Sequence, residues 1–217
     1  RSTLMRSSAA SDVYKRQTKE IVRSRTCGFK DCYVARVTQN TVAGYVAETP
    51  IKLARAIKGK IDEKWTSEKI YSDDGTEEVI NSYEGTDVEL EVNALAPQDR
   101  AYIFGQLYEN GFLVKSADDK APELALGWRE RKLNGKYEFR WLYTGKFAEG
   151  ISEEAQTREG KLSPTTKTIK GSFYERSLDN DYEISVDESN LVTADTDAAA
   201  AIKDWFSKVQ EKDKAHE

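Results

Sequence analysis

The sequence predicts a mainly β protein: a sandwich or rolled antiparallel sheet with one flanking α-helix and one C-terminal helix. Three observations support this prediction. Apolar and polar residues alternate with period two through several segments, as in half-buried strands. An Asn-Gly pair separates two long alternating runs, as in a β-hairpin. An apolar stripe with helical spacing lies close to the C-terminus.

Six segments are predicted to be strands because each alternates over a strand-like length. They are Phe29–Thr38, Ala56–Trp65, Glu77–Glu84, Thr86–Asn93, Thr165–Arg176 and Tyr182–Asp187. A turn at Asp73-Asp74-Gly75, followed by Glu77 and Glu78, raises the question of a calcium loop. The alternating oxygen ligands of an EF-hand loop are missing, so an ordinary turn is favoured.

The Asn134-Gly135 pair predicts a two-residue type I′ turn. That turn would place Trp128 opposite Trp141 and Arg129 opposite Arg140. The other pairs in this register are Glu130 with Phe139, Lys132 with Tyr137, and Arg131 with Glu138. Two facing arginines need an acidic partner, and both Glu138 and an acid on a neighbouring chain are candidates.

Two helices are predicted. Pro97 opens the first, over Gln98 to Leu107, because a first-turn position needs no N–H. Its apolar face would consist of Tyr102, Ile103 and Leu107. The second helix spans Asp197 to Gln210, with Thr196 or Asp195 as its cap. Its docking stripe consists of Ile202, Trp205, Phe206 and Val209.

Residues 1–17 are interpreted as a non-native, disordered leader, and residues 18–217 as one domain. The leader resembles translated adaptor sequence and lacks the apolar segment of a secretory signal. The full chain has a net charge of −5; without the leader's four basic residues and one acid, the net charge is −8. Such an acidic domain is poorly suited to bind a phosphate backbone, which clustered Lys and Arg hold.

The composition argues against an enzyme. The single histidine, His216, is the penultimate residue, which argues against an imidazole base and against paired imidazole metal ligands. No GxSxG nucleophile motif and no phosphate-binding glycine loop occur. Cys27 and Cys32 are interpreted as free thiols rather than as a disulfide or metal ligands. We therefore expect no catalytic residue, no cofactor, no metal site and, without a run of 18 apolar residues, no membrane span.

Six segments follow one another with a distinctive order and spacing. They are GFKDCYVARVT near the start, ETPIKLARAIKGKI (Glu48–Ile61), YSDDGTEEV (Tyr71–Val79), GTDVELEVNALAP (Gly85–Pro97), APELALGWRERKLNGKYEFRWLYTGKFA (Ala121–Ala148) and AAIKDWFSKVQ (Ala200–Gln210). Together they resemble the major tail protein family of long-tailed bacteriophages, the phi13-type tail tube subunits. Residues 1–17 have no counterpart in that family.

The resemblance implies a structural virion protein without catalytic residues. It implies that subunits join their sheets into hexameric rings, and that stacked rings form a hollow tail tube for DNA ejection. The implied partners are further copies, the tape-measure protein, and tail terminator and baseplate proteins, while DNA passes through the lumen without specific binding. The implied location is the virion tail, after synthesis and assembly in the host bacterial cytoplasm. The residues leave one alternative open, a non-enzymatic β-sandwich binding module for carbohydrate or protein, such as a virion decoration protein.

An acidic stripe on the strand Thr86–Asn93 consists of Asp87, Glu89 and Glu91. Its carboxylates project from one face at intervals of about 7 Å, twice the strand rise. In one interpretation the stripe faces the lumen and repels DNA. In the other it forms surface ion pairs with Lys58, Lys60 and Lys64 on a neighbouring strand.

Overall fold

The fold is mainly β and antiparallel, as the sequence predicts. The computed structural model describes residues 20–53, 55–72, 75–153 and 166–212, with backbone only for 71, 72 and 75–78. The interpreted leader and His216 lie outside the described residues, as do Asp73 and Asp74 of the expected turn.

Twelve strands and two helices occur in the described residues. In chain order they are β1 (Thr26–Thr41), β2 (Gly44–Ala47), β3 (Ile51–Lys52), β4 (Ala56–Ser72), β5 (Gly75–Val92), α1 (Pro97–Phe104), β6 (Leu107–Glu109), β7 (Phe112–Val114), β8 (Leu124–Lys132), β9 (Tyr137–Lys146), β10 (Ile151–Glu153), β11 (Lys167–Tyr174), β12 (Glu183–Asp187) and α2 (Thr196–Lys203). The segments Glu77–Glu84 and Thr86–Asn93, predicted as two strands, form the single strand β5.

Ten of these strands form one sheet, whose main path runs β2-β1-β8-β9-β11-β5-β4. β3 also pairs with β1, β10 with β11, and β12 with β9, while β6 and β7 form a separate hairpin. The sheet rolls, so that β4 at one end approaches β1 near the other. Where these two strands come close, the Phe29 ring of β1 lies against Gly59 of β4.

The two faces of the β1-β8-β9 region carry separate hydrophobic cores. The first core fills the inside of the roll and includes Val88 and Leu90 from β5, Trp128 from β8 and Phe173 from β11. The second core lies on the opposite face, beneath α2 and the turns that follow it. Its members are Ala35, Tyr45, Ala125, Phe139, Trp141, Tyr143, Trp205 and Val209.

The β8–β9 register differs by one residue from the predicted one. Trp128 pairs with Arg140, Gly127 with Trp141, and Arg129 with Phe139. The loop has three residues rather than two: Lys132 N–H donates to the Lys136 carbonyl at 2.8 Å, and only Gly135 adopts a positive φ, of 83°. A type I′ turn needs positive φ at both central residues, so a type I turn with a glycine bulge forms instead. A one-residue shift moves side chains to the other face, so the predicted Trp128–Trp141 and Arg129–Arg140 pairs are wrong.

The same shift replaces the other predicted pairs of this hairpin. Glu130 pairs with Glu138 rather than with Phe139, and Arg131 pairs with Tyr137 rather than with Glu138. Lys132 is bonded to Lys136 rather than to Tyr137.

Both helices are shorter than predicted. α1 ends at Phe104, before Gly105 in the left-handed region, and Leu107 lies in β6 with 58% of its surface exposed. α2 ends at Lys203, where Asp204 N–H turns back to the Ala201 carbonyl at 3.2 Å. Turns then carry Trp205 and Val209 into the second core.

The expected cap of α2 does not form. Asp195 occupies the cap position without a side-chain hydrogen bond to the helix, and its carboxylate accepts the Val192 N–H at 2.8 Å.

Candidate assembly surfaces

The most prominent surface feature is a two-stranded arm built from the outer ends of β4 and β5. β11 pairs with β5 only over Thr86–Val92, whereas β4 and β5 remain paired as far as Ser72 and Gly75. The arm therefore comprises residues 65–72 and 75–83, which pair only with each other among the described strands. At a strand rise of about 3.3 Å, it projects roughly 25 Å beyond the sheet.

An aromatic cluster holds the base of the arm. Tyr83 stacks on Tyr182 at 4.1 Å between ring centroids, and the edge of Trp65 meets Tyr83 at 5.3 Å. The Trp65 indole N–H also donates to Glu63 at 3.4 Å. These contacts fix the arm to the start of β12, so its direction is set by packing at the base.

From its base outward, the arm exposes large apolar side chains. Trp65 is 52% exposed, Ile70 43%, Val79 48% and Ile80 47%. A two-stranded hairpin without further cover is only marginally stable in water. The arm therefore has the composition of a surface that another chain covers.

Glu183 lies beside the base of the arm in an unfavourable environment for a carboxylate. Its Oε2 is buried and has no hydrogen-bond partner, and its Oε1 is 3.5 Å from Arg140 Nη1. Burial raises the pKa of Glu183 to about 7; Arg140 opposes this rise, while the neighbouring carboxylates Glu63, Glu138 and Glu130 add to it. The sequence offered no signal for this cluster because its members come from four different strands.

The acidic stripe lies on the outer face of β5, between β4 and β11. Asp87 is 2.5 Å from Lys64 Nζ, Glu89 is 3.9 Å from Lys170 Nζ, and Glu91 accepts the Thr166 hydroxyl at 2.7 Å. The lysine at position 64 also holds the pKa of Asp87 below its usual range. All three carboxylates of the stripe therefore project from the same face of β5, as predicted. Of the three expected lysines only Lys64 pairs with it, since Lys60 bonds to Asp62.

Arg129 and Arg140 find acids within the same chain. Arg129 Nε donates to Asp31 at 2.7 Å, while Arg140 Nη2 donates to Glu138 at 2.8 Å. The corrected register places the two arginines on opposite faces of the sheet, so they do not repel each other. Of the two candidate sources of an acid, Glu138 in the same chain is therefore confirmed for Arg140, while Arg129 pairs with Asp31, which was not among the candidates.

A groove of about 550 Å³ separates β12 from the start of α2. Ile184, Val186 and Trp205 form its apolar lining, with Asp195 and Glu211 among its polar members. The Trp205 indole N–H is buried without a hydrogen-bond partner. The groove has the size of a small-ligand pocket, and apolar and polar residues both line it.

Within the described part of the chain, no group of three or more His, Cys, Asp or Glu side chains could hold a metal ion. Both cysteines are free: Cys27 is exposed, and burial raises the pKa of the Cys32 thiol to about 12. Each of the two described helices has eight residues, too few to span a bilayer.

No protein-family model and no curated protein matches this chain. Among solved structures, it is similar to one described as the cap that terminates the tube of the anti-feeding prophage. The two share 6% sequence identity at a TM-score of 0.42, over 80% of this chain and 99% of that chain. A similarity of this size establishes neither a family nor a function.

Proposed function

We propose that this chain is a non-enzymatic structural virion protein, the major tail (tail tube) subunit of a long-tailed bacteriophage or prophage. Copies assemble into hexameric rings, and stacked rings form the conduit for DNA ejection. Two things support this function: the sequence resemblance and one structural observation, the arm. A projecting two-stranded arm with exposed apolar side chains suits a subunit that is completed by its neighbours.

The edges of the sheet support the same proposal. β4 is a long terminal strand, and β2 ends the main path on the other side. Unpaired strand edges invite pairing with another chain unless they are covered. Contacts between two different edges are heterologous, and such contacts close into a ring when the rotation between subunits allows it.

The proposed partners are other copies of the chain, the tape-measure protein inside the tube, and the terminator and baseplate proteins at its ends. The proposed location is the virion tail, after assembly in the host bacterial cytoplasm. DNA passes through the lumen without specific binding, consistent with the acidic net charge of the chain.

Sedimentation velocity over a concentration series tests this function. The full chain should shift from monomer to discrete larger species as concentration rises, because the apolar arm becomes covered. A single monomer species up to millimolar concentration would refute the tail tube proposal.

The carbohydrate-binding alternative has one observation in its favour. Trp65 is half-exposed and packs against Tyr83 and Tyr182, and exposed aromatic rings can serve as platforms for sugars. Titration with oligosaccharides separates the two functions. A binding module should show saturable quenching of tryptophan fluorescence that Trp65→Ala abolishes, whereas a tube subunit should show none.

A further inference from the structure

The arm exposes apolar side chains on both of its faces. Strand pairing aligns Trp65 with Tyr83 and Lys69 with Val79, so Trp65 and Val79 share the face that continues the inside of the roll. Glu68 pairs with Ile80, so Ile80 and Ile70 lie on the opposite, outer face. We call these the inner and outer faces of the arm.

A strand pair that lies on a single partner needs only one apolar face, and its other face is normally polar. β5 follows that rule where it belongs to the sheet: Val88 and Leu90 are buried, and Asp87 and Glu89 face outward. The pattern changes in the arm. Val79 is 48% exposed on the inner face and Ile80 is 47% exposed on the outer face.

The size of the arm also argues against a single contact. Two strands about 4.8 Å apart and roughly 25 Å long offer a few hundred Å² on each face. A stable interface usually buries about 800 Å² on each partner. One face of the arm falls short of that area, whereas burial of both faces doubles the area that the arm contributes to the interface.

We propose that the arm inserts between two other copies of this chain, with its inner face covered by one copy and its outer face by another. The inference rests on the proposed self-assembly and identifies its contact surface. Each arm then links three subunits, so its contacts are cooperative. Loss of either face removes a contact that the other face does not replace.

Cysteine labelling tests the two faces separately. In a Cys27→Ser background, Val79→Cys and Ile80→Cys place thiols on adjacent residues of opposite faces, while the native Cys32 is only 2% exposed. We expect assembly to slow maleimide labelling at both positions at least tenfold relative to dilute monomer. Phe112→Cys, in the separate β6–β7 hairpin at 73% exposure, is the control and should label equally fast in both states.

Other outcomes separate this inference from the proposed function. If the wild-type chain assembles but one of the two positions labels as fast as in monomer, the arm is covered on one side only and the inference is wrong. If the chain never self-associates, the proposed function and the inference fail together.

A second pair of variants covers the case in which the cysteine variants do not assemble. Val79→Lys and Ile80→Lys should each abolish full assembly, while Phe112→Lys should leave it intact. Full assembly by either arm variant would contradict insertion between two copies. Circular dichroism of each dilute variant controls for loss of the fold.

Discussion

Replacement of Glu183 by glutamine should stabilise the protein at neutral and alkaline pH. Burial raises the pKa of Glu183 from 4.5 to about 7, so the folded state holds this proton more tightly than the unfolded chain does. Ionising Glu183 therefore costs stability. Its favourable contribution is complete below pH 4.5 and is lost as pH rises to about 7. The difference between the two pKa values corresponds to roughly 3 kcal/mol.

Glutamine has no charge to desolvate and can still bond to Arg140, which lies 3.5 Å from Glu183. We expect Glu183→Gln to raise the free energy of unfolding at pH 8 by up to about 3 kcal/mol, because the pKa of about 7 already includes the attraction to Arg140. At pH 4.5 the variant and the wild type should be nearly equally stable. Urea denaturation at half-unit steps from pH 4.5 to 8 measures this difference.

The control for this series is Glu89→Gln on the outer face of β5. Glu89 is 46% exposed and 3.9 Å from Lys170, so its replacement should change stability by less than about 0.5 kcal/mol. The reasoning is refuted if Glu183→Gln and the wild type lose stability in parallel between pH 4.5 and 8. In that case Glu183 would be solvated or paired in the native protein.

Two further predictions concern the packing and the surface charge. Gly127→Ala should lower the free energy of unfolding by about 1–3 kcal/mol, because its methyl group would lie 2.6 Å from the Trp141 ring. Thermal unfolding measures this loss. The control is Gly28→Ala, whose methyl group would lie 3.9 Å from the nearest atom, of Arg131, and which should have a much smaller effect. The assembled chain should show no detectable duplex DNA binding at physiological salt, since a net charge of −5 opposes phosphate contact. A gel-shift titration that gives a micromolar, salt-sensitive complex would overturn the second prediction.

Local patterns predicted the longer strands, because period-two alternation reports which face is buried, but not the short strands of two to four residues. β1, β11 and β12 lie within or around predicted strands, and β8 and β9 are the two alternating runs that flank the Asn134-Gly135 pair. The β8–β9 register was wrong because Asn134-Gly135 suits two kinds of turn, and only the backbone angles distinguish them. The tertiary contacts of Trp205 and Val209 likewise shaped the C-terminal segment more than its helical periodicity did.

The candidate surfaces were less predictable than the fold. Only one strand of the arm was predicted, Glu77–Glu84, because the other predicted segment ends at Trp65. Alternation also cannot show where the neighbouring strand β11 stops pairing with β5. The environment of Glu183 depends on Glu63, Glu130 and Arg140, which are far apart in sequence. Such clusters follow from topology rather than from local sequence.

Negative-stain electron microscopy of the concentrated full chain tests the central claim most directly. The proposed function predicts six-fold rings that stack into hollow tubes, with fewer of both on dilution. A field of uniform monomer-sized particles at every concentration, at both low and physiological salt, would contradict a tail tube subunit.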